Sequence, residues 1–226
     1  MRRKHYDYYL PSYPPKLEKY WLKVNNRHKD ACLLCLPGRM GHARELVEIY
    51  KKLKINATIV GITPKGRAWY PMPNGADDQK HAVAGVVPAV KVVENAIRKI
   101  ESWGFTRNKI ALTGHSAGAV MAIMTAARSS KPFAGVISHC GAILDPDKLP
   151  AKRNNTPYLL THGMDDQSFS WEERFLPMLA AMKSKDYNVC ASVEPDAGHG
   201  VSAKQFGISR RFLFKCFESP SQSAVS

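Results

Sequence analysis

The sequence predicts an α/β domain: a mostly parallel central sheet with helices on both faces and no cap domain. Short apolar runs bounded by Gly, Pro or polar residues recur along the chain, and stretches of helical spacing alternate with them. The runs are continuous rather than alternating, as in strands covered on both sides. At 226 residues, against about 150 for a typical domain, the chain suits one full-sized core. A hydrophobic content of 44%, with 15 Gly and 15 Pro, excludes the disordered and fibrous classes.

Residues 1–20, rich in Tyr, Pro and Lys and without sustained periodicity, read as an N-terminal basic arm. Residues 21–217 read as the domain and 218–226 as a frayed tail. Positions 20–24 and 31–36 read as two strands joined by a polar turn. Further buried strands are expected at 57–61, 109–113, 134–138, 157–161 and 189–193. Helices are expected at about 42–54, 78–103, 116–129, 171–184 and 203–217. In the first of these Leu46, Ile49, Tyr50 and Leu53 follow the i, i+3, i+4, i+7 spacing of a packed face. The second carries Pro88, a candidate kink, and closes at Gly104.

Charge and cysteines narrow the surroundings. Lys plus Arg number 33 against 19 acidic residues, a net charge of +14. Eight of the basic residues lie in the first thirty positions (Arg2, Arg3, Lys4, Lys16, Lys19, Lys23, Arg27, Lys29). An anionic polymer or surface is therefore a possible partner through the arm, although no zinc-finger spacing, RNP-like motif or long basic helix is present. A solubilising surface is the favoured reading. The 5 cysteines are an odd set lying mostly in apolar runs, which suits a reducing cytoplasm. Cys32 and Cys35 form a C-x-x-C inside an apolar run, not at a helix start, so neither a redox nor a metal role is read there. No run is long enough to span a membrane and no secretory signal is read at the start.

The chemistry gathers in turns that follow strands. Gly114-His115-Ser116-Ala117-Gly118 ends one strand and opens a helix, the context that a G-x-S-x-G nucleophile turn requires. The nucleophile sits on a strained turn, and side chains two residues to either side would strike the neighbouring strand and helix. A serine hydroxyl needs a base to take its proton, and in this fold class the order is Ser, acid, His. Asp165 and Asp166, in HGMDD, follow one strand; His199, in AGHG, follows the last. Turns of this kind converge at the carboxyl edge of an open sheet. Asp165, Asp166 and, more weakly, Asp196 compete for the acid; His115 and His139 are rivals to His199, with His139 read as structural. The backbone N–H of Ala117 and the loop Pro37-Gly38-Arg39, with Arg39 as donor, are the two sources for an oxyanion hole.

With LTGHSAG, HGMDD, AGHG and the segment Gly66-Arg67-Ala68-Trp69-Tyr70 in place, the sequence resembles the phospholipase/carboxylesterase group of α/β-hydrolases, which includes acyl-protein thioesterases. The likeness runs from about 31 to 216. It implies Ser116 as nucleophile, His199 as base and, at the H-G-x-x-D position, Asp166 rather than Asp165 as acid. Two positions depart from the group's pattern: Pro37-Gly38 stands where H-G is usual before the oxyanion donor, and Ala117 stands where Gln is frequent.

The expected activity is a cytoplasmic serine hydrolase cleaving esters or thioesters of short to medium acyl chains on a small-molecule or acylated substrate, without metal or organic cofactor. Trp69, Tyr70, Met72 and Met164 are candidates to line its pocket. The alternatives are a basic binding or assembly module on a retained hydrolase scaffold, or an esterase or deacetylase acting on an anionic polymer.

Overall fold

The computed structural model describes residues 17–23, 30–71 and 76–218. Seven strands form one sheet: β1 (Leu17–Lys23), β2 (Cys32–Leu36), β3 (Thr58–Pro64), β4 (Ile110–His115), β5 (Gly135–His139), β6 (Pro157–Gly163) and β7 (Asn188–Glu194). Their order is β1-β3-β2-β4-β5-β6-β7. Strands β2 to β7 run parallel, and β1 pairs antiparallel with β3. The two strands read as neighbours across a turn are thus separated by β3. Leu17–Tyr20, read as part of the arm, belongs to the sheet, whereas residues 1–16 and the tail at 219–226 lie outside the described residues.

The helices are α1 (Ala43–Lys52), α2 (Ala76–Glu101), α3 (Ala117–Arg128), α4 (Leu176–Ser184) and α5 (Ala203–Glu218). α1 and α5 cover one face of the sheet, where Leu46, Val47 and Tyr50 meet Ile59, Ile137 and Leu213. α2, α3 and α4 cover the other, packing Val93, Ile97, Val120, Ile123, Met178 and Met182 against Leu34, Leu112 and Val136. Every α-helix among the described residues is used in these two layers, leaving none to build a cap. α1 starts where His42 Nδ1 accepts from the Arg44 N–H at 3.1 Å, a side-chain cap for a backbone donor without a helical partner.

Three elements differ locally from the sequence expectation. In α1 the buried face is Ala43, Leu46, Val47 and Tyr50, so Val47 rather than Ile49 turns inward. α2 continues through Pro88 as one element; the ring removes a donor to the Ala84 carbonyl, but Ala84 is exposed and water can replace it. β7 is an edge strand whose residues are exposed or half-buried, Cys190 included. α3 is buried from Ala117 to Ala127, as expected for a helix that is apolar all round.

Cys32 and Cys35 point to opposite faces of the sheet, one in each core. Three residues apart on a strand, they cannot meet. Burial pushes the Cys32 thiol up to about 12 and Cys35 in the same direction, so both behave as small apolar side chains.

His139, at the end of β5, is buried between Tyr50, whose hydroxyl lies 2.8 Å from Nε2, and Thr161, whose Oγ1 lies 2.7 Å from Nδ1. Burial, with a smaller contribution from His115, pushes its pKa down to about 3. Above about pH 6.5 neither the folded nor the unfolded chain protonates this ring. As pH falls from there toward 3 the unfolded chain takes the proton first, and stability drains at about 1.4 kcal/mol per pH unit. Urea unfolding is expected to show about 2 kcal/mol less stability at about pH 5 than at about pH 7.5 from this residue alone. His139→Gln should flatten the dependence; an unchanged slope would contradict the assignment.

Candidate active site

Ser116 stands between β4 and α3 with φ 54° and ψ −122°, a conformation that costs a residue bearing a Cβ about 1–3 kcal/mol. The flanking glycines show why the turn is possible. A Cβ on Gly114 would lie 2.2 Å from the Gly118 carbonyl oxygen, and one on Gly118 would lie 2.1 Å from the Leu36 carbonyl oxygen. Backbone contact, rather than positive φ, excludes side chains at both positions. The turn projects the hydroxyl beyond the carboxyl edge of the sheet, at the N-terminal end of α3, where backbone N–H groups lack intrahelical partners.

Two further turns bring their side chains to that hydroxyl. His199 Nε2 lies 2.9 Å from Ser116 Oγ, and His199 Nδ1 lies 2.7 Å from Asp166 Oδ2. Asp166 is 2% exposed; its Oδ1 accepts from the backbone N–H groups of Ser168 and Phe169 at 2.8 and 2.9 Å. These bonds orient the carboxylate and leave Oδ2 facing the imidazole. Asp165 and Asp196 are exposed, and Asp165 meets the histidine loop only through its backbone, donating to the Ala197 carbonyl at 3.0 Å. Nearby His162 is buried, stacked on Phe175 at 4.4 Å between centroids and 2.9 Å from the Phe169 carbonyl through Nε2. Burial lowers its pKa.

The loop after β2 is fastened to the segment after β3. Trp69 Nε1 donates to the Pro37 carbonyl at 2.8 Å, and the Met40 N–H donates to the Arg67 carbonyl at 2.8 Å. Met40 and Arg67 both take positive φ. Gly38 lies against the nucleophile turn: a Cβ there would come 3.2 Å from Ser116 Cβ. Gly38, the residue before Arg39, is thus in contact distance of the serine turn, which Ala117 continues on its other side. Trp69 and Tyr70 are only 1% and 2% exposed and belong to the core; the indole supports the loop instead of lining an open cleft. Met164 is 42% exposed and borders a shallow depression with Asp165, Gln167 and Trp171. Met72 lies outside the described residues.

Sequence reasoning did not single out an apolar cavity of about 200 Å³ between α2, α3 and residues 143–148. Its α3 wall is Val120, Met124 and Arg128, and it begins one helical turn beyond Ser116. The i, i+4 spacing of those three residues was the available signal. Among the described residues, Cys140, Asp166 and His199 are the group whose donor atoms gather as metal ligands would, within 4.8 Å of one another. Each is already hydrogen-bonded, the Cys140 thiol to the Gly200 carbonyl at 3.1 Å. Burial also pushes that thiol up to about 12, whereas a thiol must lose its proton to bind a metal.

The arrangement is a relay of polar atoms, carboxylate to imidazole to hydroxyl, beside a helix N-terminus, and it suits acyl transfer. Comparison with known proteins agrees with this chemistry. Residues 56–217 match the phospholipase/carboxylesterase family model. A search of the curated proteins returns no match. Among solved structures, esterase PE8 superposes with a TM-score of 0.79 at 21% identity, covering 89% of this chain and 99% of its own. A phospholipase/carboxylesterase from Dyadobacter fermentans gives 0.74 at 20%, covering 87% and 96%. Acyl-protein thioesterase 2 from Zea mays gives 0.70 at 15%, covering 88% and 99%. At these identities the structures speak for a shared α/β-hydrolase fold, and the family match over most of the domain supplies the rest: the chain belongs to the phospholipase/carboxylesterase family and is a hydrolase of the carboxylesterase type.

Proposed function

We propose that this hydrolase cleaves carboxylic esters or thioesters of short to medium acyl chains through an acyl-enzyme on Ser116. The observation that carries the reading is the unbroken hydrogen-bond path from Asp166 through His199 to Ser116. In the first half-reaction Ser116 Oγ attacks the carbonyl carbon while His199 Nε2 takes its proton. Asp166 fixes the Nδ1–H tautomer and balances the imidazolium. The tetrahedral oxyanion is held by the N–H groups of Arg39 and Ala117, each worth roughly 3–4 kcal/mol of transition-state stabilisation. His199 then gives the proton to the departing alcohol or thiol. In the second half-reaction water loses a proton to His199, attacks the acyl carbon and releases the acid, regenerating Ser116.

The apolar cavity beyond Val120 is a natural seat for an acyl chain. Because no α-helix among the described residues is left to form a lid, the reading favours soluble substrates over lipid aggregates. The free cysteines support a reducing compartment, here read as the cytoplasm. Proton transfer runs wholly through side chains, so the scheme invokes neither a metal nor an organic cofactor.

A second activity, engagement of an anionic polymer beside hydrolysis, is favoured by the face that α1 and α5 share. α1 and the turn after it carry Arg44, Lys51, Lys52 and Lys54 against Glu45 and Glu48, and α5 carries Lys204, Arg210, Arg211 and Lys215 against Glu218. Arg210 Nε, which donates to the Leu53 carbonyl at 2.8 Å, ties the two helices together.

Ser116→Ala should lower kcat for p-nitrophenyl butyrate by about 10⁶, the scale known for a serine hydrolase without its nucleophile. Asp166→Asn should cost about 10⁴ while preserving the fold. Turnover unchanged in purified Ser116→Ala protein would sink the assignment. For the second activity, binding to heparin or duplex DNA should fall steeply with salt and be unaffected by Ser116→Ala. Charge reversal at Lys52, Lys54, Arg210 and Arg211 should abolish the binding; salt-insensitive or absent binding would count against the basic face.

A further inference from the structure

His199 lies in the stretch 195–202 between β7 and α5, which contains no helix or strand. Its backbone is fixed by groups from elsewhere. The Met164 N–H donates to the Glu194 carbonyl at 3.0 Å, and the Asp165 N–H to the Ala197 carbonyl at 3.0 Å. Nearer the imidazole the donors are side chains. His115 Nε2 lies 3.2 Å from the His199 carbonyl oxygen, and the Cys140 thiol lies 3.1 Å from the next one, that of Gly200. The two side chains come from the carboxyl ends of adjacent parallel strands: His115 closes β4, and Cys140 follows β5, whose His139 pairs with His115 in register.

Both groups are in the protonation state that donation requires. Burial lowers the His115 pKa, and the neighbouring His199 lowers it further, so the neutral ring has one N–H to give. With a carbonyl opposite Nε2, that nitrogen is the donor. The other nitrogen, Nδ1, faces the loop after β2, where a Cβ on Gly38 would approach it to 3.1 Å. The ring therefore touches the oxyanion loop on one side and the histidine loop on the other. It also lies against the imidazole of His199, with centroids 5.1 Å apart. Cys140, pushed up to about 12 chiefly by burial, keeps its S–H. Neither side chain lies on the proton path.

We propose that His115 and Cys140 are positioning residues: by donating to the consecutive carbonyls at 199 and 200 they hold the histidine loop so that the imidazole stays within reach of Ser116 Oγ. The proposal rests on the catalytic reading above. It explains why a histidine, and not an apolar residue of similar size, suits the second position of the nucleophile motif. It also gives Cys140, buried and outside the chemistry, a polar function. Displacement of a reacting group by about 1 Å costs on the order of 10²-fold in rate. Loss of one of two restraints should therefore appear in kcat well before it appears in folding.

The test is a set of variants assayed for kcat, KM and the rate of Ser116 labelling by a fluorophosphonate, with melting temperature measured alongside. His115→Phe retains ring bulk without the donor, and Cys140→Ala removes the thiol. Each should lower kcat and labelling about tenfold with KM within twofold. His115→Gln and Cys140→Ser, which keep a donor, should restore most of the rate. A folded His115→Phe protein with kcat within twofold of the parent overturns the proposal, as does Gln failing to improve on Phe, or a loss confined to KM. Should the Phe variant not fold, the Cys140→Ala and Cys140→Ser pair decides by the same criteria. His199→Ala serves as the control for the underlying reading: undiminished labelling there overturns the catalytic assignment itself, a result distinct from failure of the two restraints alone.

Discussion

A serine held at φ 54° is a strained residue, and the site depends on the contact that keeps it there. The Leu36 carbonyl at the end of β2 approaches the first turn of α3 so closely that only glycine fits at 118, while the same turn presses back on Gly114. α3 is buried along nearly its whole length, so it has no room to retreat. The strain, about 1–3 kcal/mol, is carried by the packing of an apolar helix against the sheet. Hydrogen bonding adds to this: Ser116 donates its N–H to the His139 carbonyl at 2.9 Å, and its own carbonyl accepts from Ala119 and Val120 at 2.9 and 3.2 Å.

Around that fixed point each loop is tied to a neighbour. The loop after β2 is held by Trp69 and by the Arg67 carbonyl. The loop after β6 is held by Asp166, which accepts from two N–H groups ahead of it in sequence. The loop after β7 is held by the backbone of Met164 and Asp165 and by the side chains of His115 and Cys140. A parallel sheet makes this economical, because strand ends lie side by side and residues far apart in sequence become neighbours. Ser116, Asp166 and His199 each come from a different strand end, yet their polar atoms fall within 2.7–2.9 Å of one another along the relay.

Most of this architecture was legible in the sequence because buried parallel strands and two-layer helices leave strong patterns. Runs such as CLLCL and the Ala- and Met-rich α3 could not belong to an exposed element. What escaped the sequence depended on partners rather than on local pattern. β1 has an ordinary strand composition, but nothing local says that it pairs with β3 and not with β2. β7 looks apolar enough for the interior, yet its place at the edge leaves Cys190 exposed. Trp69 and Tyr70 looked like pocket residues because aromatic side chains beside a glycine-rich loop serve that purpose as often as not. Both are buried in the core, and the Trp69 indole anchors the Pro37 carbonyl, a contact that appears only once the loops are placed in space. The choice between Asp165 and Asp166 came from family resemblance, and it is Asp166 whose carboxylate lies beside the imidazole.

On the proposed mechanism the hydroxyl, the imidazole and the carboxylate react as one unit, with the N–H groups of Arg39 and Ala117 beside it. A crystal structure of the protein after reaction with an alkyl phosphonate tests this directly. Phosphorus should be bonded to Ser116 Oγ in place of the departed leaving group, with the phosphonyl oxygen about 2.7–3.1 Å from both N–H groups, His199 Nε2 facing the remaining alkoxy oxygen, and the alkyl chain directed toward Val120. Covalent attachment at another residue, or a phosphonyl oxygen turned away from both N–H groups, would contradict it.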